Sequence, residues 1–340
     1  MIRFFNPGKT YHKYKQEIDS EIQRVLSNGD LILRADVEQF EKTLADFVGT
    51  KYAVALNSGT DALYLALRGL GIGQGDEVIV PSRTFVATAQ VVVQVGATPV
   101  FYDIDGNINF TEKTKAVIPV HIEGDMQTNM SLLLEEANKR GIPVIEDAAQ
   151  ALGAEQNGKK AGSFGIAGCF SFYPAKILGA FGDAGGLTTN DEKMYRYVKD
   201  ARNHFKEDAR DWGVNSRMDN LQAAILNIRF KDIHNMLARR KEIAEMYREG
   251  LKDLSGLKLP PHSEGRVWQD YIIRTEKRDE LYNHLKLNDV ETLKNNYPFP
   301  VPKLPLAQKY EDETLRLPCN ENLINEEIYE VINKIKQFYV

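Results

Sequence analysis

The sequence predicts an α/β fold in which helices cover both faces of a largely parallel sheet, joined to a smaller C-terminal α+β domain. Between residues 52 and 189, short apolar runs alternate with stretches of helical periodicity, a pattern typical of βαβ units. The apolar runs contain few polar residues, as expected of strands that are buried on both faces. The length of 340 residues exceeds that of a typical single domain and favours two domains.

The predicted elements follow in order from two N-terminal helices, the first of which ends at the helix-stop pair Asn28-Gly29. Helices are predicted at residues 13–28, 37–48, 61–70, 84–95, 131–140 and 220–249. Strands are predicted at residues 52–56, 77–80, 99–103, 116–121, 143–146, 169–172 and 186–189. Because the last helix leads away from the sheet, we predict a large domain at residues 10–240, N-terminal helices included, and a small domain at 241–340.

Composition excludes several classes of function. The formal net charge is −5 at pH 7, which argues against a general binder of nucleic acid or of membrane surfaces. Two cysteines, Cys169 and Cys319, do not make a disulfide framework and favour a reducing compartment. The N-terminus has no long apolar segment of the kind that signal peptides carry. We therefore expect a cytoplasmic protein with no membrane and no nucleic-acid partner.

Lys176 stands just past the apolar run at 169–172, between a Ser-Phe-Tyr-Pro turn and a glycine-rich stretch. Surface lysines seldom have such small and aromatic neighbours, and desolvation there would lower the pKa of the amine. A lowered pKa suits an amine that attacks carbonyls and moves protons. A pyridoxal phosphate enzyme needs such a lysine, which holds the cofactor aldehyde as a Schiff base, together with an acid that keeps the pyridine nitrogen protonated.

Asp147 supplies a candidate for that acid, because it directly follows the apolar run at 143–146. An aspartate after a strand is also a common helix N-cap, and the two roles do not exclude one another. Residues 57–61, Asn-Ser-Gly-Thr-Asp, form a second candidate site between a strand and a helix. A glycine turn there exposes backbone N–H groups at a helix N-terminus, where phosphate binds readily, although these residue types are also ordinary N-caps.

Taken together and in this order, the motifs resemble those of the DegT/DnrJ/EryC1/StrS family of sugar aminotransferases, within the fold-type-I pyridoxal phosphate enzymes. The resemblance runs from about residue 18 to the C-terminal segment. It implies that Lys176 is the Schiff-base lysine and the proton shuttle. It also implies that Asp147 holds the pyridine nitrogen and that Gln150 reaches the phenolic oxygen of the ring.

The resemblance assigns further cofactor contacts. Gly59 and Thr60 would bind the cofactor phosphate, joined by the hydroxyl of Ser171. Asn215 matches an asparagine that the partner subunit supplies, so each active site would be shared across a homodimer. Phe85 matches an aromatic residue that stacks on the pyridine ring, with packing in the core as the alternative.

Three residues are candidates for contact with the substrate. His121 either borders the substrate pocket or is a structural histidine with satisfied hydrogen bonds. Arg202 and His204 match a family Arg-Asn-His element near the sugar nucleotide. The chain departs from the family just after His121, where residues 122–124 read Ile-Glu-Gly instead of an aromatic residue followed by Gly-Gln. This departure puts the pocket contacts at that edge in doubt.

The resemblance implies transfer of an amino group from L-glutamate to a 3-keto or 4-keto group of a nucleotide-linked sugar, for amino-sugar and surface glycan biosynthesis. Two alternatives stay open: a pyridoxal phosphate-dependent sugar dehydratase or lyase, and a non-catalytic regulatory protein with this fold. A family branch that dehydrates sugars replaces the lysine by histidine, so Lys176 argues against that branch. The six histidines and two cysteines show no spacing typical of a metal site, and no metal is predicted.

Overall fold

The computed structural model describes residues 1–104, 108–126, 130–294, 302 and 304–339. The helices are α1 (Pro7–Lys13), α2 (Lys15–Asn28), α3 (Ala35–Val48), α4 (Gly59–Gly69), α5 (Val86–Gln94), α6 (Met130–Lys139), α7 (Glu192–Ala201), α8 (Asn220–Phe230), α9 (Ile233–Leu251), α10 (Arg278–Leu287), α11 (Pro305–Glu313) and α12 (Asn325–Tyr339). The strands are β1 (Tyr52–Leu56), β2 (Glu77–Pro81), β3 (Thr98–Tyr102), β4 (Thr114–Val117), β5 (Ile145–Asp147), β6 (Glu155–Gln156), β7 (Lys159–Lys160), β8 (Ala167–Ser171), β9 (Gly185–Thr189), β10 (Tyr271–Arg274), β11 (Leu293–Lys294) and β12 (Thr314–Leu317).

One mixed sheet of mostly parallel strands, ordered β3-β2-β4-β5-β8-β9-β1, forms the centre of the molecule. Strand β2 pairs in parallel with β3 and β4, and β5 pairs in parallel with β8. Two isolated parallel bridges, Val117 to Val144 and Val120 to Asp147, join the two halves. Among the described strands of this sheet, only β9 is antiparallel to its neighbours, which are β1 and β8. The predicted fold class, a mostly parallel mixed sheet within an α/β protein, is confirmed.

Helices cover both faces of the sheet because successive strand residues point to opposite sides. In β1, Ala53 and Ala55 join the apolar cluster that contains residues of α3 and α8. Val54 and Leu56 join the cluster on the other face, which contains residues of α4 and α5. Burial on both faces explains why the strands read as continuous apolar runs.

The C-terminal region, defined here as residues 241–339, has its own antiparallel sheet of order β10-β12-β11 and its own apolar cluster. Helix α9 crosses between the clusters, with Ile233 in one and Ile243 in the other. The predicted domain boundary at residue 240 falls inside this helix, and the division into two domains stays a prediction. The N-terminus also joins the C-terminal region, since Ile2 packs in the same cluster and forms a parallel bridge with Val290.

Two predicted elements differ from the structure. The single helix predicted at 220–249 is the pair α8 and α9, separated at Lys231 and Asp232. Asp232 is held outside the helices by hydrogen bonds from Lys13 and Tyr14. The strand predicted at 116–121 ends at Val117, because Pro119 cannot continue a ladder of N–H donors.

Two further observations concern compartment and membrane. Cys169 and Cys319 are both buried, and neither forms a disulfide. Across the described ranges, no helix is both long and apolar enough to span a bilayer.

Candidate active site

A cavity of about 740 Å³ opens at the edge of the sheet where the parallel strands end. The residues that follow β1, β2, β5 and β8 meet there, since parallel strands place their carboxyl ends at one edge. The C-terminal region closes the opposite wall with Gln269, Asp270 and Arg316. Seven predicted cofactor residues line this cavity, namely Gly59, Thr60, Phe85, Asp147, Gln150, Ser171 and Lys176.

Lys176 reaches the cavity on a tight turn after β8. Its backbone N–H donates to the Tyr173 carbonyl at 2.8 Å, and Ala180 N–H returns to the Phe172 carbonyl at 2.8 Å. A side chain at Gly179 would come within 2.1 Å of the Pro174 carbonyl oxygen, so the turn closes only with glycine at that position. Backbone packing therefore requires Gly179, the first glycine of the stretch that marked this lysine in the sequence.

The environment of Lys176 raises the neutral fraction of its amine. Burial lowers the pKa of Lys176 to about 8, against the opposing charge of Asp270, with Arg316 adding to the lowering and Asp147 opposing it. Because water is removed from the ammonium form, the neutral nitrogen is populated near physiological pH. A neutral amine is the form that attacks a carbonyl or accepts a proton from carbon.

Asp147 is the last residue of β5, and it is buried. Its Oδ2 accepts a hydrogen bond from Thr88 Oγ1 at 2.7 Å, and its Oδ1 accepts one from Ala149 N–H at 3.2 Å. Burial raises the pKa of Asp147 above its ordinary value, and the hydrogen bonds from Thr88 and Ala149 act in the opposite direction. The two donors and the nearby positive charge of Lys176 thus stabilise the carboxylate in the cavity.

The neighbouring acid, Glu146, points to the other face of the strand and has a structural role. It accepts hydrogen bonds from the backbone N–H groups of Gly162, Phe164 and Gly165 at 2.7–2.8 Å. His121 Nε2 lies 2.9 Å from Glu146 Oε2, and neither side chain is exposed. His121 also lines the cavity, and its contact with a substrate stays a prediction.

The first turn of α4 faces the cavity with its N-terminus. Ser58 caps the helix by accepting a hydrogen bond from Asp61 N–H at 3.1 Å. Gly59 and Thr60 are the first two helical residues, whose N–H groups have no acceptor within the helix. A side chain at Gly59 would come within 3.0 Å of Ser171 Cβ and of the Phe170 carbonyl oxygen. This close approach places the Ser171 hydroxyl beside the helix N-terminus, as a phosphate site requires.

Gln150 and Phe85 complete the predicted ring contacts. Gln150 Oε1 accepts a hydrogen bond from Glu123 N–H at 2.7 Å, which directs the donor end of the amide away from that backbone. Phe85 exposes 51% of its surface and lines the cavity, which argues against the core-packing alternative. At the sequence departure that follows His121, Glu123 N–H donates to Gln150, and the Glu123 carboxylate forms a buried ion pair with Arg83.

Three predicted site residues lie outside the cavity lining of their own chain. Asn215 is exposed on the segment between α7 and α8. Arg202 is buried, where it forms an ion pair with Glu41 and donates to the Ala55 carbonyl at 2.8 Å. These contacts account for its burial without a ligand. His204 is exposed beside it in a left-handed backbone conformation. The substrate roles of Arg202 and His204 stay predictions.

The sequence did not predict the wall of the cavity that residues of the C-terminal region form. Gln269 Nε2 donates to the Ala175 carbonyl at 2.8 Å, and its Oε1 accepts from Ile177 N–H at 3.2 Å. One amide thus holds the backbone on both sides of Lys176. Phe4 and Phe5 also line the cavity. No pattern marks these residues, because each is an isolated side chain brought in by tertiary structure.

The donor set of this cavity fits pyridoxal phosphate. An amine of lowered pKa, a hydrogen-bonded carboxylate and a helix N-terminus face the same space. These are the groups that bind an aldehyde, a pyridine nitrogen and a phosphate. In the part of the chain that the structure describes, no cluster of three or more His, Cys, Asp or Glu residues forms a candidate metal site.

Comparisons with known proteins agree with this geometry. The sequence profile of the DegT/DnrJ/EryC1/StrS aminotransferase family matches residues 12–336. A dTDP-3-amino-3,4,6-trideoxy-alpha-D-glucose transaminase of Streptomyces venezuelae is 37% identical, covering 99% of this chain and 96% of its own. A UDP-2-acetamido-2-deoxy-3-oxo-D-glucuronate aminotransferase of Pseudomonas aeruginosa is 38% identical, over 94% and 92% of the two chains. The crystal structure of S. venezuelae DesV in complex with a ketimine intermediate superposes with a TM-score of 0.94 at 37% identity, covering 99% and 98%.

Proposed function

This chain belongs to the DegT/DnrJ/EryC1/StrS aminotransferase family, and from that membership we propose that it transfers an amino group from L-glutamate to a keto group of a nucleotide-linked sugar. The relatives named above are transaminases of dTDP- and UDP-linked sugars, which supports this class of acceptor. The observation that carries the proposal is the meeting of Lys176, Asp147 and the N-terminus of α4 in one cavity.

Pyridoxal phosphate is the cofactor of this family, and when bound it supplies a ring that withdraws electrons from the carbon bearing the transferred amino group. We propose that Lys176 holds the aldehyde carbon and that Asp147 accepts the hydrogen bond of the ring nitrogen. The amide of Gln150 would donate to the phenolic oxygen. The backbone N–H groups of Gly59 and Thr60 would bind the phosphate, together with the hydroxyl of Ser171, and Phe85 would stack on the ring.

Lys176 acts as the base and then as the acid. Its neutral Nζ would accept the proton from the α-carbon of the donor and return it to the former aldehyde carbon of the cofactor, which is joined to that α-carbon through the transferred nitrogen. A pKa of about 8 lets the same nitrogen take up and release this proton near neutral pH. In the second half of the reaction, Lys176 moves a proton in the opposite sense towards the sugar carbon that receives the amino group.

Asp147 keeps a negative charge at the ring nitrogen. Burial alone would favour its neutral form, and the hydrogen bonds from Thr88 and Ala149 favour the carboxylate. A positive ring nitrogen would add a third stabilising contact, because an opposite charge at hydrogen-bond distance lowers the pKa of a carboxyl. Cofactor binding would therefore stabilise the Asp147 carboxylate further.

We propose a homodimer in which Asn215 of each copy completes the cofactor site of the other. Asn215 is exposed and lies outside the cavity lining of its own chain. The next residue, Ser216, donates to Asp61 at 2.7 Å and so holds this segment beside the first turn of α4. Trp212 on the same segment exposes 88% of its surface, an apolar area that a second copy would cover.

The dimer proposal has a complementation test. Lys176→Ala and Asn215→Ala homodimers should both be inactive, and a mixture after subunit exchange should regain activity. In a mixed dimer, one site combines an intact lysine with an intact asparagine. Failure of the mixture to gain activity, with exchange verified by mass spectrometry, would contradict a shared site.

The proposed activity is tested by following the absorbance of the cofactor-loaded protein while L-glutamate is added. We expect the band of the aldehyde form to be replaced by that of the amine form, with release of 2-oxoglutarate. Addition of keto sugars linked to dTDP, UDP or GDP should then restore the first band and yield an amino sugar detectable by mass spectrometry. A band that does not respond to L-glutamate would favour another donor or the lyase class.

We propose a cytoplasmic location for this reaction. The two buried cysteines that form no disulfide agree with a reducing compartment.

A further inference from the structure

A buried cluster of charged side chains lies behind the cavity, at the segment where the chain departs from the family pattern. At its centre is Glu123, which exposes 3% of its surface. The Glu123 carboxylate forms an ion pair with Arg83. Its Oε2 lies 3.9 Å from Arg266 Nη2 and 3.5 Å from the hydroxyl oxygen of Tyr310. Because the family pattern has no glutamate at this position, family membership assigns the residue no role.

The cluster joins the two walls of the cavity. Arg83 follows β2 on the sheet side, whereas Arg266 and Tyr310 belong to the C-terminal region. The guanidinium of Arg83 lies over the ring of Tyr310, 3.9 Å from its centroid. The backbone supports the same junction, since Val267 N–H donates to the Gly124 carbonyl at 3.0 Å. The Glu123 carboxylate is therefore held from both sides.

The backbone of Glu123 has a left-handed conformation, with φ at +63°, which residues other than glycine seldom adopt. In this conformation the carboxylate contacts Arg83, while the N–H group donates to Gln150 Oε1 at 2.7 Å. A backbone N–H can bond only to the oxygen of a glutamine amide. The bond from Glu123 thus fixes which end of the Gln150 amide remains available as a donor.

We propose that Glu123 is a positioning residue for Gln150, and that its buried ion pair with Arg83 is what holds the backbone N–H in place. The inference rests on the proposed function, since it assumes that the Gln150 amide donates to the phenolic oxygen of the cofactor. Without the carboxylate, the backbone at residue 123 relaxes towards negative φ, and its N–H turns away from Gln150. The amide is then free to rotate and to present its oxygen to the cofactor.

The first test is a pH titration of the absorbance band of the cofactor-loaded protein. A donor at the phenolic oxygen stabilises the negative charge there and lowers the pKa of the nitrogen that joins Lys176 to the cofactor. In Glu123→Ala and in Gln150→Ala, the midpoint of this titration should therefore rise by about one pH unit. An unchanged or lower midpoint in Glu123→Ala would overturn the proposal.

The second test measures cofactor affinity and asks whether Glu123 acts through Gln150. The dissociation constant of pyridoxal phosphate, measured by calorimetry on the cofactor-free protein, should rise about 3- to 10-fold in either single variant. Combining Glu123→Ala with Gln150→Ala should add nothing to the effect of Gln150→Ala, because residues that act through one contact are not additive. Additive effects on affinity would overturn the proposal.

Removing the Glu123 carboxylate alone leaves the buried charge of Arg83 without this partner, which destabilises the fold. The double variant of Glu123→Ala with Arg83→Met removes both charges and is therefore measured beside the single variant. It should show the same rise in the titration midpoint as Glu123→Ala. A midpoint equal to that of wild type in the double variant would show that the ion pair does not hold Gln150.

Asp125→Asn is the matched control. Asp125 lies on the same segment and pairs with Arg266 at 3.4 Å, without a described contact to Gln150 or Arg83. This variant should leave the titration and the cofactor affinity unchanged. If neither Gln150→Ala nor Glu123→Ala shifts the titration, the proposed contact of Gln150 with the cofactor fails, and the inference fails with it. If Gln150→Ala shifts the titration and Glu123→Ala does not, only the present inference fails.

Discussion

The two walls of the cavity differ in how they are built. On the sheet side, Asp147 ends β5, Gly59 begins the helix that follows β1, and Lys176 lies on the turn that follows β8, so their positions are set by the ends of a buried sheet. On the side of the C-terminal region, Gln269 and Arg316 are single side chains that come from different parts of a small antiparallel sheet and its flank. The sheet side carries residues for a chemistry common to many substrates, and the opposite side carries residues that can distinguish between substrates.

The comparison predicts that changes on the sheet side abolish the reaction, whereas changes on the other side alter its rate or selectivity. Lys176→Ala should show the largest effect, a fall in kcat on the order of 10⁴-fold, because no other neutral amine lines the described cavity. The absorbance band of covalently held cofactor should also be lost. Lys159→Ala, an exposed lysine on a hairpin, should have neither effect. An active Lys176→Ala protein would remove the basis of the comparison.

Asp147→Asn should lower kcat by about 10³-fold and at the same time stabilise the cofactor-free protein. Folding raises the pKa of Asp147, so the buried carboxylate destabilises the folded state as pH rises through that pKa. The cofactor-free variant should therefore melt a few degrees above wild type at pH 7. This difference should vanish below about pH 4, where the unfolded-state carboxyl also becomes protonated. Thermal melts across pH 3–8 test the sign.

Glu146→Gln provides the contrast to that variant. Through its two carboxylate oxygens, Glu146 accepts three backbone hydrogen bonds and contacts His121, and amide substitution replaces one of these acceptor oxygens by an NH2 donor. We expect Glu146→Gln to lower the free energy of unfolding by about 2–4 kcal/mol, whereas Asp147→Asn should raise it. Loss of stability in both variants would show that the two adjacent acids do not differ in the way proposed.

Gln269→Ala should have a smaller effect, a decrease in kcat of about tenfold, because the backbone around Lys176 loses its contact with the C-terminal region. Stability should fall by about 1–2 kcal/mol as two hydrogen bonds are lost. Single-turnover kinetics and chemical denaturation measure the two quantities. Gln39→Ala, an exposed glutamine that bonds only within α3, is the control. A loss of kcat as large as that of Lys176→Ala would place Gln269 in the chemistry itself.

The smallest expected effect is a shift in pH dependence. Reconstitution of the cofactor-free protein with pyridoxal phosphate requires neutral Lys176, so its rate should rise with pH and level off above about 8. Asp270 raises the pKa of Lys176 and Arg316 lowers it. The midpoint should therefore move down in Asp270→Asn and up in Arg316→Gln, in each case by less than about one pH unit. Stopped-flow absorbance measures the rates, and shifts of the reverse sign would contradict the placement of the pair.

The sequence predicted the sheet side of the site because local patterns record it. A strand that is buried on both faces is apolar throughout, and the residue that follows it must lie at the sheet edge. Gly179 marks the turn of Lys176, and residues 57–61 mark the start of α4, through backbone requirements that only certain residue types meet. The family resemblance then added the role of each residue.

The other wall could not be predicted, because nothing local distinguishes it. Gln269 and Arg316 belong to short segments whose pairing partners lie some 45 residues apart along the chain. A single glutamine or arginine in such a segment is most often a surface residue. Likewise, Asp232 between α8 and α9 accepts hydrogen bonds from Lys13 and Tyr14, a contact between distant segments that no local pattern records.

The N-terminal segment carries a practical consequence for anyone who produces this protein. Phe4 N–H donates to Glu291 Oε2 at 2.8 Å, and Ile2 N–H donates to the Asp289 carbonyl at 2.7 Å, so the first residues are fastened to the C-terminal region. Phe4 and Phe5 then line the cavity. An affinity tag fused ahead of Met1 would place extra chain next to these hydrogen bonds, a few residues from the Phe4 and Phe5 side chains that line the cavity. A tag placed after α12 would leave these hydrogen bonds unchanged and is therefore the better choice for expression.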